Sequence, residues 1–446
     1  MGKDMTHGNI SKILILFTAP LVLSGLFQQL FSWVDAFIVG NVEGESSLAA
    51  IGATTSIYYL FITVITGFTS GLSILSAQQF GMGETDNLKE TLSSFAVLLG
   101  VVFLLIAVLG IVFTTSILVL LNTPENLLEI AGQYLRIMFI GIPFLAVYNV
   151  YAAVLRGVGD SRAPFLSILI SSVANVALDI LFVAVFGYGA AGAAVATVIS
   201  QSAMTIFIIV YTIKHYHHLR FRLNRHIIKN SVLAKGAEFG MPPSIQGGMS
   251  SVGNLILQRF MNGFGERTVA AITTAYRVDS VIFLPIINFG SGIATVVAQN
   301  IGAGNHKRAK EALKIGVILM AAVSLCLTLI VILAGEYLLA IFGLAPESVA
   351  IGKSFFYGIA GFYFVYGLAM AFRGYIEGIG DMLFSGIAGI ISLIVRISAS
   401  YLFVDIFGNM IVAYAEAFSW GILLVIYILR FFQKRNINTT KIVSLN

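Results

Sequence analysis

"SGLSILSAQQFGMG" runs from Ser70 to Gly83, and "SGIATVVAQNIGAG" runs from Ser291 to Gly304, 221 positions later. Each is an apolar run seeded with small residues that closes on a glycine-rich turn. The same offset carries "GESSLAAIG" at Gly44 onto "GERTVAAIT" at Gly265, and "LFV" at Leu181 onto "LFV" at Leu402. It also carries Gly157-Val158-Gly159-Asp160 onto Gly378-Ile379-Gly380-Asp381. From Gly44 to Leu92 about a third of the positions are identical without a gap. Self-similarity at a fixed period marks a repeated structural unit, and here the unit is half the chain.

The composition says where that unit lives. Hydrophobic residues make up 58% of the chain and charged residues 11%, against roughly 25% charged in soluble proteins; the mean hydropathy is +0.93. A membrane-crossing helix needs about 20 apolar residues. Windows of that length centre near Leu26, Thr63, Leu104, Gly141, Val173, Met204, Leu255, Phe283, Ala322, Phe362, Ile390 and Leu423. The intervening polar segments are short, so we expect neither an inserted soluble domain nor a signal peptide ahead of one. The expected fold is an all-α polytopic membrane protein: twelve transmembrane helices in two six-helix lobes. An even helix count per half starts both halves on the same side, which makes the repeat parallel. The expected boundaries are a first lobe at 1–213, a basic cytoplasmic linker at 214–235 and a second lobe at 236–446.

Lys and Arg accumulate in cytoplasmic loops. With both termini inside, the inner segments hold Lys3, Lys12, Lys89, Arg156, Arg162, the cluster from Lys214 to Lys235, Lys307, Arg308, Lys310, Lys314, Arg373 and the tail from Arg430. The outer loops keep only Arg267 and Lys353. The expected location is the plasma membrane with both ends cytoplasmic. The net charge of +5 is spread over that whole face, as membrane topology demands, so no nucleic-acid partner is expected. Cys326 is the only cysteine, which excludes a disulfide framework and a thiolate metal site. The "HYHH" run at His215–His218 reads as a solvated loop, and no metal or cofactor is expected.

Ionisable side chains inside membrane helices are costly and therefore mark function. Asp35 lies in "SWVDAFIVG" on the first helix; Asn175 and Asp179, four residues apart in "NVALD", share one face of the fifth. Burial disfavours the charged form of a lone carboxylate, whereas two close together favour sharing a proton or a cation. The pair is thus a candidate for taking up H⁺ or Na⁺. At the repeat offset Asn175 becomes Arg396 and Asp179 becomes Ser400, so the second half lacks this arrangement. There Arg277 with Asp279, or Arg396 with Glu416, are expected to be internal ion pairs. An unpaired Glu416 would be the alternative site for a cationic substrate. Gln28, Asn149, Glu416 and Arg277 are the candidate substrate contacts. Pro20 in helix 1, Pro143 in helix 4, Pro242-Pro243 at the start of helix 7 and Pro285 in helix 8 each remove a backbone hydrogen bond and permit a bend. Pro20 shares its helix with Asp35.

The duplicated GxGD signature has an enzymatic reading, the intramembrane aspartyl protease, which needs two carboxylates together at membrane depth. Asp160 and Asp381 fall instead at the ends of helices 4 and 10. Their glycines suit the turn that ends a helix, and their aspartates suit capping the next one. The chain is not expected to be an enzyme.

"LFQQLFSWVDAFIVG", "AYRVDSVIFLP", "LRGVGDSRAP", "RGYIEGIGD" and the helix ends "AQQFGMG" and "AQNIGAG" together resemble the multidrug and toxic compound extrusion (MATE) family over nearly the whole chain. The resemblance implies a monomeric antiporter that exports organic cations or other amphipathic compounds against inward H⁺ or Na⁺, by alternating access of two lobes. In the DinF-like branch it implies a coupling site at Asp35, Asn175 and Asp179, with Tyr134 and Thr197 as further polar members. The NorM-like branch carries a helix 7 glutamate; this chain reads "QGGMSSVGN" there. The alternative function is a flippase for a lipid-linked precursor, which would favour a basic cleft for phosphate.

Overall fold

The computed structural model describes residues 3–221 and 229–443; of the basic connection, Arg222, Arg225 and His226 lie outside them. Among the described residues the chain is helical and contains no strand. The first half holds α1 (Ile10–Glu43), α2 (Glu45–Gly81), α3 (Thr85–Leu120), α4 (Glu125–Gly157), α5 (Arg162–Asp179) and α6 (Gly189–His215). The second holds α7 (Asn230–Met261), α8 (Glu266–Ile282), α9 (Leu284–Gly302), α10 (His306–Ala340), α11 (Pro346–Ile359), α12 (Tyr363–Gly378), α13 (Met382–Leu402), α14 (Val404–Phe407) and α15 (Ile411–Val443).

Among the described residues eleven segments are long and apolar enough to cross a membrane, with α8–α9, α11–α12 and α14–α15 each forming one. α7, 32 residues long, is the twelfth helix; Gln246, the Gly247-Gly248 pair and Ser250-Ser251 dilute its apolar character. Large apolar side chains such as Leu105, Val112 and Leu333 stand exposed, the surface a bilayer covers. α8 and α9 meet at Phe283, with Pro285 in the first turn of α9. Pro242 and Pro243 fall in the middle of α7, because that helix begins at Asn230; the expected position at its start is corrected.

Two compact units partition the chain, and their boundaries cut through helices. The first comprises 1–4 with Ala19–Gly240; the second comprises Met5–Thr18 with Met241–Asn446. The opening turns of α1 thus pack within the second unit and those of α7 within the first. Each crossing falls beside proline: Pro20 in α1, Pro242-Pro243 in α7.

The small residues of the repeat explain this packing. A Cβ on Gly71 would stand 2.0 Å from the Phe239 carbonyl oxygen, and one on Gly292 would stand 2.3 Å from Thr18 Cγ2. Phe239 and Thr18 are themselves 221 positions apart. The same glycine in each copy therefore seats the same turn of an exchanged half-helix, as small residues do in membrane bundles. The GxGD glycines repeat the pattern. A Cβ on Gly157 would meet Ser76 Cβ at 2.6 Å and the Ser73 carbonyl at 2.8 Å; one on Gly378 would meet Val297 Cβ and the Ala294 carbonyl, both at 2.7 Å. Gly159 and Gly380 close their turns at φ 85° and 90°, a conformation that favours glycine.

The two aspartates of the signature differ. Asp160 Oδ1 accepts from the Arg162 and Ala163 N–H groups at 3.0 and 3.1 Å and caps α5, while Oδ2 accepts from Tyr216 O–H at 2.7 Å. Burial and the nearby Asp160 carboxylate push the Tyr216 phenol well above its ordinary pKa, which keeps it a donor. Asp381 makes no side-chain cap. Its carboxylate pairs instead with Arg430 at 2.8 Å and Lys434 at 3.3 Å on α15, so the capping expectation fails for this copy.

Candidate functional site

In the first unit, Asp35 extends from α1, and Asp179 is the last residue of α5. The backbone directly after Asp179 widens into a π-helical turn over Ile180–Val185; such turns interrupt an α-helix most often at functional positions. Asp179 is fully buried. Its carboxyl and that of Asp35 lie within hydrogen-bonding reach of each other. Among the described residues no donor reaches Asp35 Oδ1 or either oxygen of Asp179. With Asp179 buried and Asp35 half-buried, two carboxyls this near each other favour sharing a proton or a cation.

The other expected members gather nearby. Tyr134 on α4 is buried and within electrostatic reach of both aspartates and of Tyr58. Asn175 Nδ2 faces Thr197 Oγ1 on α6 at 3.5 Å, the outer limit of a hydrogen bond. One turn further along α6, Gln201 Nε2 donates to the Tyr58 hydroxyl at 2.6 Å, and Gln201 Oε1 is buried without a partner. Tyr58 and Gln201 were not anticipated. The signal was available for Gln201, which follows Thr197 by four residues on the same face of an apolar helix.

The second unit is built on different charges. Arg396 Nη2 donates to Glu416 Oε2 and to the Tyr276 hydroxyl, both at 2.9 Å. Glu416 is therefore paired, and the reading of it as a free carboxylate for a cationic substrate is withdrawn. The other expected pair is absent. Arg277 is exposed and lines an open cavity of about 480 Å³ with Glu266 and Thr273. Asp279 is buried, and its Oδ1 accepts from the Tyr363 hydroxyl at 2.5 Å while Oδ2 has no partner. A second cavity of about 330 Å³ is lined by Asp279, Arg396, Glu416 and Tyr276. Of the remaining candidate contacts, Gln28 is exposed on α1, and Asn149 is buried with its amide donating to the Leu145 carbonyl of its own helix at 2.8 Å.

The MatE family model matches twice, at residues 20–181 and 243–402, one copy in each half. The chain belongs to the MatE family. It is 31% identical over 380 residues to the probable multidrug resistance protein YpnP of Bacillus subtilis, covering 85% of each chain. It is 30% identical to the probable multidrug resistance protein YoeA of the same organism, over 92% of this chain and 91% of the other. Among solved structures, an outward-facing multidrug resistance MATE family transporter of the MOP superfamily superposes with a TM-score of 0.91 at 20% identity, over 99% and 98% of the two chains. The twice-matched model restates the 221-residue repeat: its two copies end at 181 and 402. The chain is thus a multi-pass membrane transporter of the MatE family and not an enzyme.

Proposed function

We propose that this transporter is a proton-coupled antiporter exporting organic cations, with Asp35 and Asp179 as the coupling pair. The observation that carries the reading is the nearness of the buried Asp179 carboxyl to the half-buried Asp35 carboxyl, with no donor reaching Asp35 Oδ1 or either oxygen of Asp179. A single proton shared between them needs no further ligand. When it leaves, two neighbouring negative charges, one of them fully buried, repel each other, which favours rearrangement of α1 around Pro20 or uptake of another cation. Tyr134, Asn175 and Thr197 supply the polar surround through which the proton passes.

The charge balance supports a cationic rather than a phosphate-bearing cargo. Among the described residues the first unit sets the carboxyls of Asp35 and Asp179 at its site with no base beside them, and the second sets Asp279 and Glu416 against Arg396. A lipid-linked precursor would be held by surplus Arg and Lys. The reading includes a monomer in the plasma membrane with both termini cytoplasmic, in which the two units alternate access.

Transport of ethidium into or out of proteoliposomes under separately imposed gradients tests the coupling ion. A pH gradient alone drives uphill movement in this account. A sodium gradient that drives it at constant pH contradicts the account.

A further inference from the structure

The first unit keeps unfilled acceptors and unused donors within reach of one another. Among the described residues no donor meets Asp35 Oδ1 or either oxygen of Asp179. Tyr134, within electrostatic reach of both carboxyls and of Tyr58, makes no hydrogen bond among those residues. Tyr58 makes one, and in it the hydroxyl is the acceptor: Gln201 Nε2 donates to it at 2.6 Å. A phenol carries one hydrogen and donates once, so both hydroxyl hydrogens are uncommitted. Buried polar groups are ordinarily hydrogen-bonded, and a set left open on both sides points to a second state in which its bonds close.

The Gln201–Tyr58 bond is built into the fold. Tyr58 on α2 packs against the cluster of Tyr134, Met138, Ala190 and Ala194. Gln201 follows Thr197 by one turn of α6, about 6 Å, and α4 makes the room for its amide: a Cβ on Gly141 would stand 2.3 Å from Gln201 Oε1. Gly141 in turn follows Tyr134 by two turns on the same face of α4. Three helices therefore set Gln201 behind Tyr58 and Tyr58 against the Tyr134 cluster. The repeat ties this layer to the carboxyls. In the second unit, which lacks Asp35 and Asp179, the positions of Tyr134 and Gln201 hold Phe355 and Ile422.

We infer that Gln201 and Tyr58 are positioning residues for proton release: the amide occupies the Tyr58 oxygen, leaving the Tyr58 hydrogen for Tyr134 and the Tyr134 hydrogen for the carboxylate that deprotonation creates. Only the bond to the departing proton breaks; the hydroxyl hydrogens stay on their oxygens. Hydroxyls chained to a charge polarise one another and strengthen the last bond, and a bond donated to the charged form favours that form. Gln201 and Tyr58 thus ease the loss of the proton. The titratable groups in reach of the carboxyls are Tyr134 on α4 and, behind it, Tyr58 on α2. From α5 and α6 come the uncharged Asn175, Thr197 and Gln201, and among the described residues no base stands beside the pair. The inference rests on Asp35 and Asp179 being the coupling pair.

The carboxylic C=O stretch of the purified full-length protein in detergent, followed by infrared spectroscopy as the pH is raised, tests it. The part of the band that Asp35→Asn removes belongs to the coupling pair, and its midpoint is the pH at which the shared proton is half lost. Tyr58→Phe and Gln201→Leu each remove support for the charged form, so each should move that midpoint to higher pH by about half a unit, an about threefold tighter hold on the proton. A role in packing alone leaves the midpoint in place. An unmoved midpoint in both variants overturns the inference, as does a shift to lower pH. If Tyr58→Phe does not purify as a single species, Gln201→Leu decides alone. If Asp35→Asn removes no titrating band, the coupling reading falls and this inference with it; if it removes one whose midpoint neither variant moves, this inference falls alone.

Discussion

The two units share their joints and differ in their charges. Gly71 and Gly292 each seat the first half of the other half's opening helix, and Gly157 and Gly378 each press on positions 73/76 and 294/297. At these points a side chain would collide, so the repeat is held to glycine by geometry. The ionisable residues follow no such rule. Asp35, Asn175 and Asp179 become Ile256, Arg396 and Ser400 in the second copy, while Asp279 and Glu416 answer to Tyr58 and Val195. What builds the helical bundle is kept twice, and what carries charge is placed once in each unit at different positions. A duplicated scaffold can therefore give its halves separate chemical roles.

The comparison can be broken first at the second unit's ion pair. Arg396→Met leaves Glu416 buried without its partner and should destabilise the protein by about 3–5 kcal/mol; Arg396→Met with Glu416→Leu should recover most of that. Thermal unfolding in detergent measures both, and a single variant as stable as the double one would show that the pair is not structural.

The glycine joints come next, and here the units should differ in degree. Gly71→Ala drives a methyl into backbone, the Phe239 carbonyl, and should cost about 1–3 kcal/mol of overpacking. Gly292→Ala collides with the Thr18 methyl, a side-chain group and not backbone, and should cost less. Equal losses would mean that the exchanged half-helices are seated alike.

The smallest effects belong to the GxGD corners. Asp160→Ala removes a helix cap and should cost about 1 kcal/mol. Asp381→Ala removes partly exposed ion pairs to Arg430 and Lys434 and should cost about 0.2–1 kcal/mol, diminished by salt. Stability at low and high ionic strength separates the two: only the Asp381 contribution should fade with salt.

Much of this was legible because membrane helices leave coarse signals. Apolar windows of fixed length located the helices, and the undamaged offset of 221 paired the halves. Asp35, Asn175 and Asp179 stood out because charge and amide groups are rare in such surroundings. The exchange of the first turns of α1 and α7 was not legible, since it depends on which bundle a half-helix packs into after the proline. Asp279's partner was also misread. Sequence proximity favoured Arg277, but residues two apart on a helix face different directions, and the hydroxyl that reaches Asp279 comes from Tyr363, 84 positions away. Glu416 and Arg396 paired as expected, although Asp279 borders the same cavity.

The central claim is that Asp35 and Asp179 hold the coupling proton, and the measurement closest to it compares two modes of transport in the same proteoliposomes. In Asp35→Asn and in Asp179→Asn, ethidium movement driven by a pH gradient should fall to the gradient-free level, while ethidium–ethidium exchange without a gradient persists. Gradient-driven transport undiminished in either variant would contradict the account.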